Sequence, residues 1–212
     1  MNARRVDFWF DPLCPWTWLS AEWLLDVAQR RPLDIHWRVL SLALLNEGRE
    51  LPDEYVALMA RAIGPVRVLT AARITSGDDV VLPLYLELAE RYHRQSRADD
   101  ATIMAESLAA AGLPAELAEA AASSEYDEAL RADHDAGMAL VGDDVGSPII
   151  SLPRSDGPPG SEETSVAYFG PVVNPVPRGA DADRLWDGLV LMTAVPGFHE
   201  LKRTRDGAPI ID

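Results

Sequence analysis

Residues 6–17 read Val-Asp-Phe-Trp-Phe-Asp-Pro-Leu-Cys-Pro-Trp-Thr, a stretch in which a strand pattern passes into a helix pattern. The first five residues form a short apolar and aromatic run, which predicts a β-strand over 6–10. The Asp-Pro pair at 11–12 ends this strand. The proline at 15 fits the first turn of a helix, where a missing backbone N–H costs nothing. Cys14 is therefore predicted at the N-terminus of a helix that directly follows a strand.

The rest of the chain predicts a second strand, a block of helices, and a final strand pair followed by a helix. Strands are predicted at 6–10, 34–40, 148–152 and 165–169, and the turn-rich stretch 153–164 is expected to be mobile. Helices are predicted at 15–30, 53–63, 66–76, 82–96, 100–111, 114–122, 124–141 and 183–195. This order predicts an α/β thioredoxin fold with an α-helical insertion. The thioredoxin-like domain would cover 1–51 and 146–212, and the helical insertion 52–145.

Charge and composition exclude several kinds of partner. The net charge is −15 and the basic residues are scattered, so no basic stripe for nucleic acid or an anionic membrane surface is expected. No run approaches the ~18 apolar residues of a membrane span, and the N-terminus lacks the apolar core of a signal peptide. Neither clustered metal ligands nor a nucleotide-binding fingerprint is found, so we expect no bound metal or cofactor. These features predict a cytoplasmic protein without nucleic-acid or membrane partners.

Cys14 is the only cysteine of the chain, so no disulfide can form within it. A helix N-terminus offers free N–H groups and about half a positive charge, and both stabilise a thiolate. Cysteines in this position can have pKa values of roughly 3.5–7.5, so we expect a lowered pKa and a nucleophilic sulfur. The alternative interpretation is a small, buried and inert side chain.

Thr17 occupies the position of the second cysteine in a Cys-x-x-Cys motif. Without that cysteine, a mixed disulfide on Cys14 has to be resolved by a thiol from outside the protein. The Thr17 hydroxyl could also donate a hydrogen bond to the Cys14 sulfur; otherwise Thr17 is an ordinary helix residue. The motif therefore predicts monothiol chemistry.

The Ser147–Pro148 pair opens a predicted strand after the helical block. A proline in this position is consistent with a cis peptide bond. In a thioredoxin fold such a proline lies against the active cysteine, and the backbone of Ser147 would pair with an extended substrate. An ordinary loop proline is the alternative.

The stretch from Asp7 to Trp16 resembles the active-site opening of the actinobacterial DsbA-like proteins grouped as mycothiol-dependent reductases, or nitroreductases. Further matching stretches are Leu40 to Glu47, Gly64 to Val68, Ala111 to Pro114, Gly137 to Ile149, Tyr168 to Val172 and Phe198 to Arg205. The resemblance implies a thioredoxin fold and the low-molecular-weight thiol mycothiol as co-substrate, with a small molecule or disulfide as substrate. That family usually has Cys-Pro-Trp-Cys, and this chain has Thr17 at the last position. Because related folds often dimerise, a homodimer is a further expectation.

Five further residues are predicted to line the thiol site. Pro15 and Trp16 directly follow the cysteine, and Trp16 either covers a ligand or belongs to the core. His93 follows an apolar helical face and either faces the cysteine across a cleft or lies at the surface. Asn46 and Tyr55 stand where the second strand enters the insertion, and they could line the same cleft.

Three functions remain open at the level of the sequence. The leading one is a thiol-dependent oxidoreductase that acts on disulfides, mixed disulfides or small electrophiles with mycothiol or a similar thiol. The second is a transferase or isomerase resembling the kappa-class glutathione transferases, in which the protein stabilises the thiolate of the cofactor without a covalent bond. The third is a degenerate thioredoxin module that only binds.

Overall fold

A mixed four-stranded sheet forms the centre of the computed structural model, which describes residues 3–154, 165–205 and 207–211. Its strands are β1 (Arg4–Phe10), β2 (Leu33–Val39), β3 (Ile149–Pro153) and β4 (Ser165–Phe169). Their order in the sheet is β2-β1-β3-β4, with β1 and β2 parallel and the other two pairs antiparallel. This confirms the predicted α/β thioredoxin fold. Most of the predicted loop 153–164 lies outside the described residues.

Seven α-helices accompany the sheet in the described part of the chain. They are α1 (Pro15–Ala28), α2 (Leu42–Leu45), α3 (Asp53–Ser76), α4 (Val81–Ala89), α5 (Asp100–Ala110), α6 (Asp127–Val141) and α7 (Gly179–Met192). Short 3-10 segments cover Asp78–Val80 and Ala115–Ala122, and a wider π-helical turn covers Glu90–Arg94. Along the chain, helices α3 to α6 lie between the strand pair β1 and β2 and the strand pair β3 and β4. The domain limits at 51/52 and 145/146 stay a prediction.

Helix α3 differs most from the sequence prediction, which split it into 53–63 and 66–76. The structure has one helix of 24 residues with Pro65 inside it. A proline removes one helical hydrogen bond, but Gly64, Pro65 and Val66 are buried, and this burial offsets the loss. By length and composition α3 could also cross a membrane; half of its most apolar window is buried within the protein, and a core helix passes the same test.

Three smaller corrections concern the other helices. The predicted helix 82–96 ends at residue 89 and continues as the π-helical turn. The predicted helix 114–122 is a 3-10 segment, and α2 was not predicted. Each is a local change of hydrogen-bond pattern that apolar periodicity does not report.

The two faces of β1 carry the two parts of the core. Phe8 and Phe10 belong to the large cluster that includes residues of α1, α3 and α4. Trp9 points to the opposite side and packs with Met138 of α6 in a smaller cluster. A Cβ atom on Gly137 would lie 2.8 Å from the Trp9 ring, so α6 can approach the sheet this closely only because residue 137 is glycine. The strand that leads to Cys14 is thus held from both sides.

Candidate active site around Cys14

Cys14 is the N-cap of α1, as the sequence predicts. Its backbone is extended, with φ −83° and ψ 109°, and Pro15 begins the helix. The Cys14 N–H donates to the Asp11 carbonyl at 3.1 Å, and the Trp18 N–H donates to the Cys14 carbonyl at 3.1 Å. The turn is therefore fixed by its own backbone, and Cys14 keeps only 6% of its surface exposed.

The Ser147–Pro148 segment lies against this turn. Its peptide bond is cis, which confirms the prediction. The hydroxyls of Thr17 and Ser147 share a hydrogen bond of 2.8 Å, and the Cys14 sulfur lies 4.0 Å from the Ser147 carbonyl oxygen. Thr17 is fully buried and Ser147 nearly so. The fold thus brings Cys14 and Thr17 next to the Ser147–Pro148 pair, which lies about 130 positions further along the chain.

The pKa of Cys14 contradicts the sequence prediction. Burial raises it above the ordinary value of the thiol, although hydrogen bonds from Ser147 and Thr17 lower it. The nearby Asp11 carboxylate raises it further. The predicted lowering is therefore wrong for the structure as it stands, because the cost of burying a thiolate exceeds the gain from the helix N-terminus and its donors.

Asp11 is the residue of this site that sequence reasoning missed. Its side chain is fully buried, and its two carboxylate oxygens accept hydrogen bonds from the Leu13 N–H at 2.8 Å and the Leu42 N–H at 2.7 Å. Burial raises its pKa to about 7, although both N–H groups favour the charged form. In the sequence Asp11 indicates only the end of a strand; an acidic residue three positions before a reactive cysteine was the available signal.

His93 reaches the same turn from the insertion. Its Nε2 lies 2.9 Å from the Pro12 carbonyl oxygen, and its ring stacks on Trp18 at a centroid distance of 6.3 Å. Burial lowers its pKa to about 4, so the ring is neutral at pH 7 and Nε2–H donates to the carbonyl. The π-helical turn carries His93, and such turns are frequent at functional sites. The histidine thus contacts the loop beside Cys14.

Trp16 and its neighbour Arg205 form the outer edge of the site. Pro15 and Trp16 are half-buried. The Arg205 guanidinium lies 4.9 Å above the centre of the Trp16 ring, in cation–π contact. The C-terminal segment that carries Arg205 is attached by Asn174, which bonds the backbone of residues 208 and 210.

Asn46 and Tyr55 are less closely connected to the cysteine. The Asn46 amide donates to the Leu42 carbonyl at 2.9 Å and contacts the Met59 sulfur at 3.5 Å. Tyr55 is 51% exposed in the first turn of α3. Within the described residues, no hydrogen bond links either side chain to Cys14. No group of three or more metal-ligating side chains occurs in the same part of the chain.

A family model matches residues 13–203, which is most of the chain. The family is described as Rv2466c-like, mycothiol-dependent nitroreductase Rv2466c. The chain belongs to this family. Among curated proteins, the uncharacterized Rv2286c of Mycobacterium tuberculosis is 28% identical over 210 residues, which are 97% of this chain and 84% of that protein.

Solved structures similar to this Rv2466c-like protein have the DsbA-like fold. The probable DsbA oxidoreductase SCO1869 of Streptomyces coelicolor has a TM-score of 0.59 and 17% identity, with 95% of this chain and 94% of that chain covered. The cytosolic disulfide reductase DsbM of Pseudomonas aeruginosa has a TM-score of 0.55 and 16% identity, with 89% and 99% covered. A 2-hydroxychromene-2-carboxylate isomerase has a TM-score of 0.57 and 19% identity, with 89% and 94% covered.

Membership of the Rv2466c-like family identifies the chain as a thiol-dependent oxidoreductase, and the solved structures show that its fold is DsbA-like. Cys14 is its single cysteine, and it lies inside the matched region at the start of α1. Thr17, where a second cysteine would stand, is buried against Ser147.

Proposed function

We propose that the protein works by a monothiol mechanism with a low-molecular-weight thiol, mycothiol or a similar one, as co-substrate. Cys14 attacks a disulfide, a mixed disulfide or a small electrophile, and the thiol from outside then resolves the adduct. The observation that carries this proposal is the residue at position 17. Its hydroxyl is hydrogen-bonded to Ser147 at 2.8 Å, next to the sulfur, in the place where a second thiol would act. A hydroxyl cannot release a mixed disulfide.

The ligand would be bound by the residues around the turn. The Ser147 backbone, which lies beside the Cys14 sulfur, would pair with an extended substrate. Pro15 and Trp16 would form one wall of the binding site. His93 would close the opposite side from the insertion, and Asn46 and Tyr55 would contact the more distant part of the thiol. The exposed ring of Tyr55 suits such a contact.

The cellular location and the partners of the protein are part of the same proposal. A cytoplasmic location suits a single reduced cysteine, because thiols persist there. The fold of the Pseudomonas aeruginosa protein described as a cytosolic disulfide reductase supports the same location. A net charge of −15 argues against nucleic acid and anionic membranes as partners. A homodimer is proposed only by analogy with related folds.

Intact-mass spectrometry tests the mechanism. The wild-type protein is incubated with oxidised mycothiol and, separately, with oxidised glutathione. We expect one added thiol, lost again on addition of the reduced thiol. Thr17→Cys should instead form an internal disulfide without a bound thiol, because the neighbouring cysteine attacks at a high effective concentration. Thr17→Ser is the matched control and should behave as wild type. A wild-type protein that takes up no thiol contradicts the monothiol mechanism.

A transferase or isomerase that resembles the kappa class is the second candidate. The observation that favours it is the burial of Cys14 and its raised pKa, since a protonated thiol is a weak nucleophile. The similar fold of the 2-hydroxychromene-2-carboxylate isomerase is compatible with it. Calorimetry with reduced mycothiol separates the candidates. Binding by wild type and Cys14→Ser without any adduct in the mass experiment would favour the isomerase type. If the protein neither binds the thiol nor forms an adduct, the result would favour the non-catalytic module.

A further inference from the structure

The segment that follows α7 crosses the edge of the active site between two anchors. At its start, the Phe198 ring contacts the Tyr168 ring of β4 at a centroid distance of 5.7 Å. At its end, the Asn174 side chain holds the backbone beyond residue 207 with two hydrogen bonds of 3.0 and 2.9 Å. Residues 199–205, between these anchors, make no backbone hydrogen bond within the described part of the chain. We call them the C-terminal strap.

The C-terminal strap concentrates positive charge that has no carboxylate partner. Lys202, Arg203 and Arg205 are all exposed, and no carboxylate of the described residues forms an ion pair with any of them. Most arginines elsewhere in the described chain, by contrast, do form an ion pair with a carboxylate. Glu200 is the only acidic residue among residues 199–205. The strap is therefore a positive patch on a protein of net charge −15.

This patch lies beside the reactive cysteine. The Arg205 guanidinium is 4.9 Å from the centre of the Trp16 ring, and Trp16 follows Cys14 by two residues. Three residues of extended chain span at most about 11 Å, so the backbone of Lys202 lies within about that distance of Arg205. Charges interact over about 10 Å at an ionic strength of 0.1 M. All three cations are thus within electrostatic reach of a ligand bound at Trp16.

We propose that the C-terminal strap recognises the negatively charged group of the molecule that reacts at Cys14. The inference rests on the proposed function and deepens it, because it gives the substrate class as small anionic disulfides or thiols. The planar guanidinium of Arg205 can donate two parallel hydrogen bonds to a carboxylate at the edge of the site. Lys202 and Arg203 add attraction at longer range.

The charge of the whole protein makes this local attraction necessary. A net charge of −15 repels anions, so an anionic substrate approaches Cys14 only where positive charge is concentrated nearby. Three cations suit a small anion. A nucleic acid or an anionic membrane would extend beyond the strap and meet the repulsion of the remaining surface.

Two aromatic disulfides of different charge test the proposal. The disulfide 5,5′-dithiobis(2-nitrobenzoate) carries two carboxylates, and 2,2′-dithiodipyridine is uncharged. Each forms a mixed disulfide with Cys14 and releases one coloured thiol. The quantity measured is the ratio of the two rates, anionic over neutral, because any effect on the sulfur itself is common to both. No mycothiol is needed for this assay.

The salt dependence of this ratio in wild type has a definite sign. If the strap attracts the anionic disulfide, the ratio should fall as salt is added, because screening weakens the attraction. The net charge alone would make the ratio rise with salt, because screening then weakens a repulsion. A ratio that rises with salt, or does not change, would overturn the proposal. This measurement does not depend on how any variant folds.

Matched double variants assign the effect to the strap. Lys202→Gln combined with Arg203→Gln should lower the ratio about 4-fold at low ionic strength, because one charge at 10 Å in water changes a rate about twofold. Adding Arg205→Gln should bring the loss to about 10-fold. Arg31→Gln combined with Arg184→Gln also removes two positive charges from solvent-accessible side chains, and it should keep the wild-type ratio. An equal fall in both double variants would mean that only net charge matters, and the proposal would be wrong.

A second assay shows which reactant carries the negative group. Cys14 is first converted to its pyridyl mixed disulfide, and its release by anionic 2-mercaptoethanesulfonate is compared with its release by neutral 2-mercaptoethanol. An effect of the strap variants in the first assay assigns the anion to the disulfide substrate, and an effect in the second assigns it to the outside thiol. Either result supports the proposal, and the absence of both overturns it. If neither thiol releases the adduct, the monothiol mechanism fails, while the first assay still tests the strap.

Discussion

The catalytic turn, residues 11–17, and the entrance to the insertion, residues 46–55, are held in different ways. In the turn, Asp11, Cys14 and Thr17 are buried, and each is connected to backbone or side-chain partners. At the entrance, Tyr55 is half exposed and residues 47–50 are all exposed. We therefore expect the chemistry to depend on the buried turn, and the choice of ligand to depend on the more exposed entrance. Changes in the turn should affect reaction rates and pH profiles, and changes at the entrance should affect affinity.

The largest effect should come from Cys14→Ser. We expect loss of the mixed disulfide and a fall in disulfide reduction of at least about 10³-fold, because no other thiol exists in the chain. The thermal unfolding midpoint should change little, since serine has a similar shape and Ser147 and Thr17 offer it hydrogen-bond partners. Mass spectrometry and a reductase assay measure the two effects. Activity retained in this variant would move the chemistry away from the turn.

Asp11→Asn should have the largest effect on stability. Burial raises the pKa of Asp11 from 3.8 to about 7, so ionising it in the folded protein costs free energy. Its contribution to stability is therefore full below about pH 4 and is lost as the pH rises through 7. The size is about 4 kcal/mol. Asparagine does not titrate, so the unfolding free energy of the variant minus that of wild type should rise by about this much between pH 4 and pH 8. Urea unfolding at the two pH values measures the difference.

Asp79→Asn serves as the control for this titration, because Asp79 is an exposed aspartate far from the turn in the sequence. Equal pH dependence of Asp11→Asn and wild type would contradict the assignment of a buried titrating carboxyl to the turn.

The sequence predicts the local features of the catalytic turn better than it predicts how other elements bury that turn. Cys14 at a helix start, Thr17 beside it and the cis bond before Pro148 all follow from local patterns, and the structure contains all three. The direction of the Cys14 pKa does not follow, because it depends on how deeply other elements bury the sulfur. A helix N-terminus can be recognised in a sequence, but a desolvation cost cannot.

The helical insertion also has features that the sequence predicts and features that it does not. Apolar periodicity predicts most of its helices, but it does not predict that Pro65 lies inside one continuous helix. His93, which contacts Pro12, lies in a π-helical turn that apolar periodicity does not predict. Asp11 carries no helical or strand pattern at all, and one of its two backbone hydrogen bonds comes from Leu42, which is 31 residues away.

Gly137→Ala tests whether the insertion supports the strand that leads to the turn. The added methyl group would lie 2.8 Å from the Trp9 ring, and overpacking of this kind costs about 1–3 kcal/mol. Gly188→Ala is the matched control: it lies in α7 with open space around it and should gain up to about 1 kcal/mol. Urea unfolding gives both values. A stabilised Gly137→Ala would show that α6 moves freely relative to β1.

Arg205→Gln should have the smallest effect and should separate recognition from chemistry. An exposed cation–π contact such as that between Arg205 and Trp16 is worth about 0.5–1 kcal/mol, or a factor of about 2–5. Arg205 is one of three basic residues within four positions of an otherwise acidic protein, the others being Lys202 and Arg203. We therefore expect it to favour anionic substrates at the edge of the site.

The test compares two disulfides of different charge. Oxidised glutathione carries carboxylates, and bis(2-hydroxyethyl) disulfide is neutral. The variant should react about 2–5-fold more slowly with the first at low ionic strength and at an unchanged rate with the second, and salt should reduce the difference. Arg205→Lys keeps the charge but loses the planar stack, so its rate with oxidised glutathione should lie between the rates of wild type and Arg205→Gln. Equal slowing with both disulfides would mean that Arg205 holds Trp16 in place for the chemistry, and that the edge of the site belongs to the rigid turn.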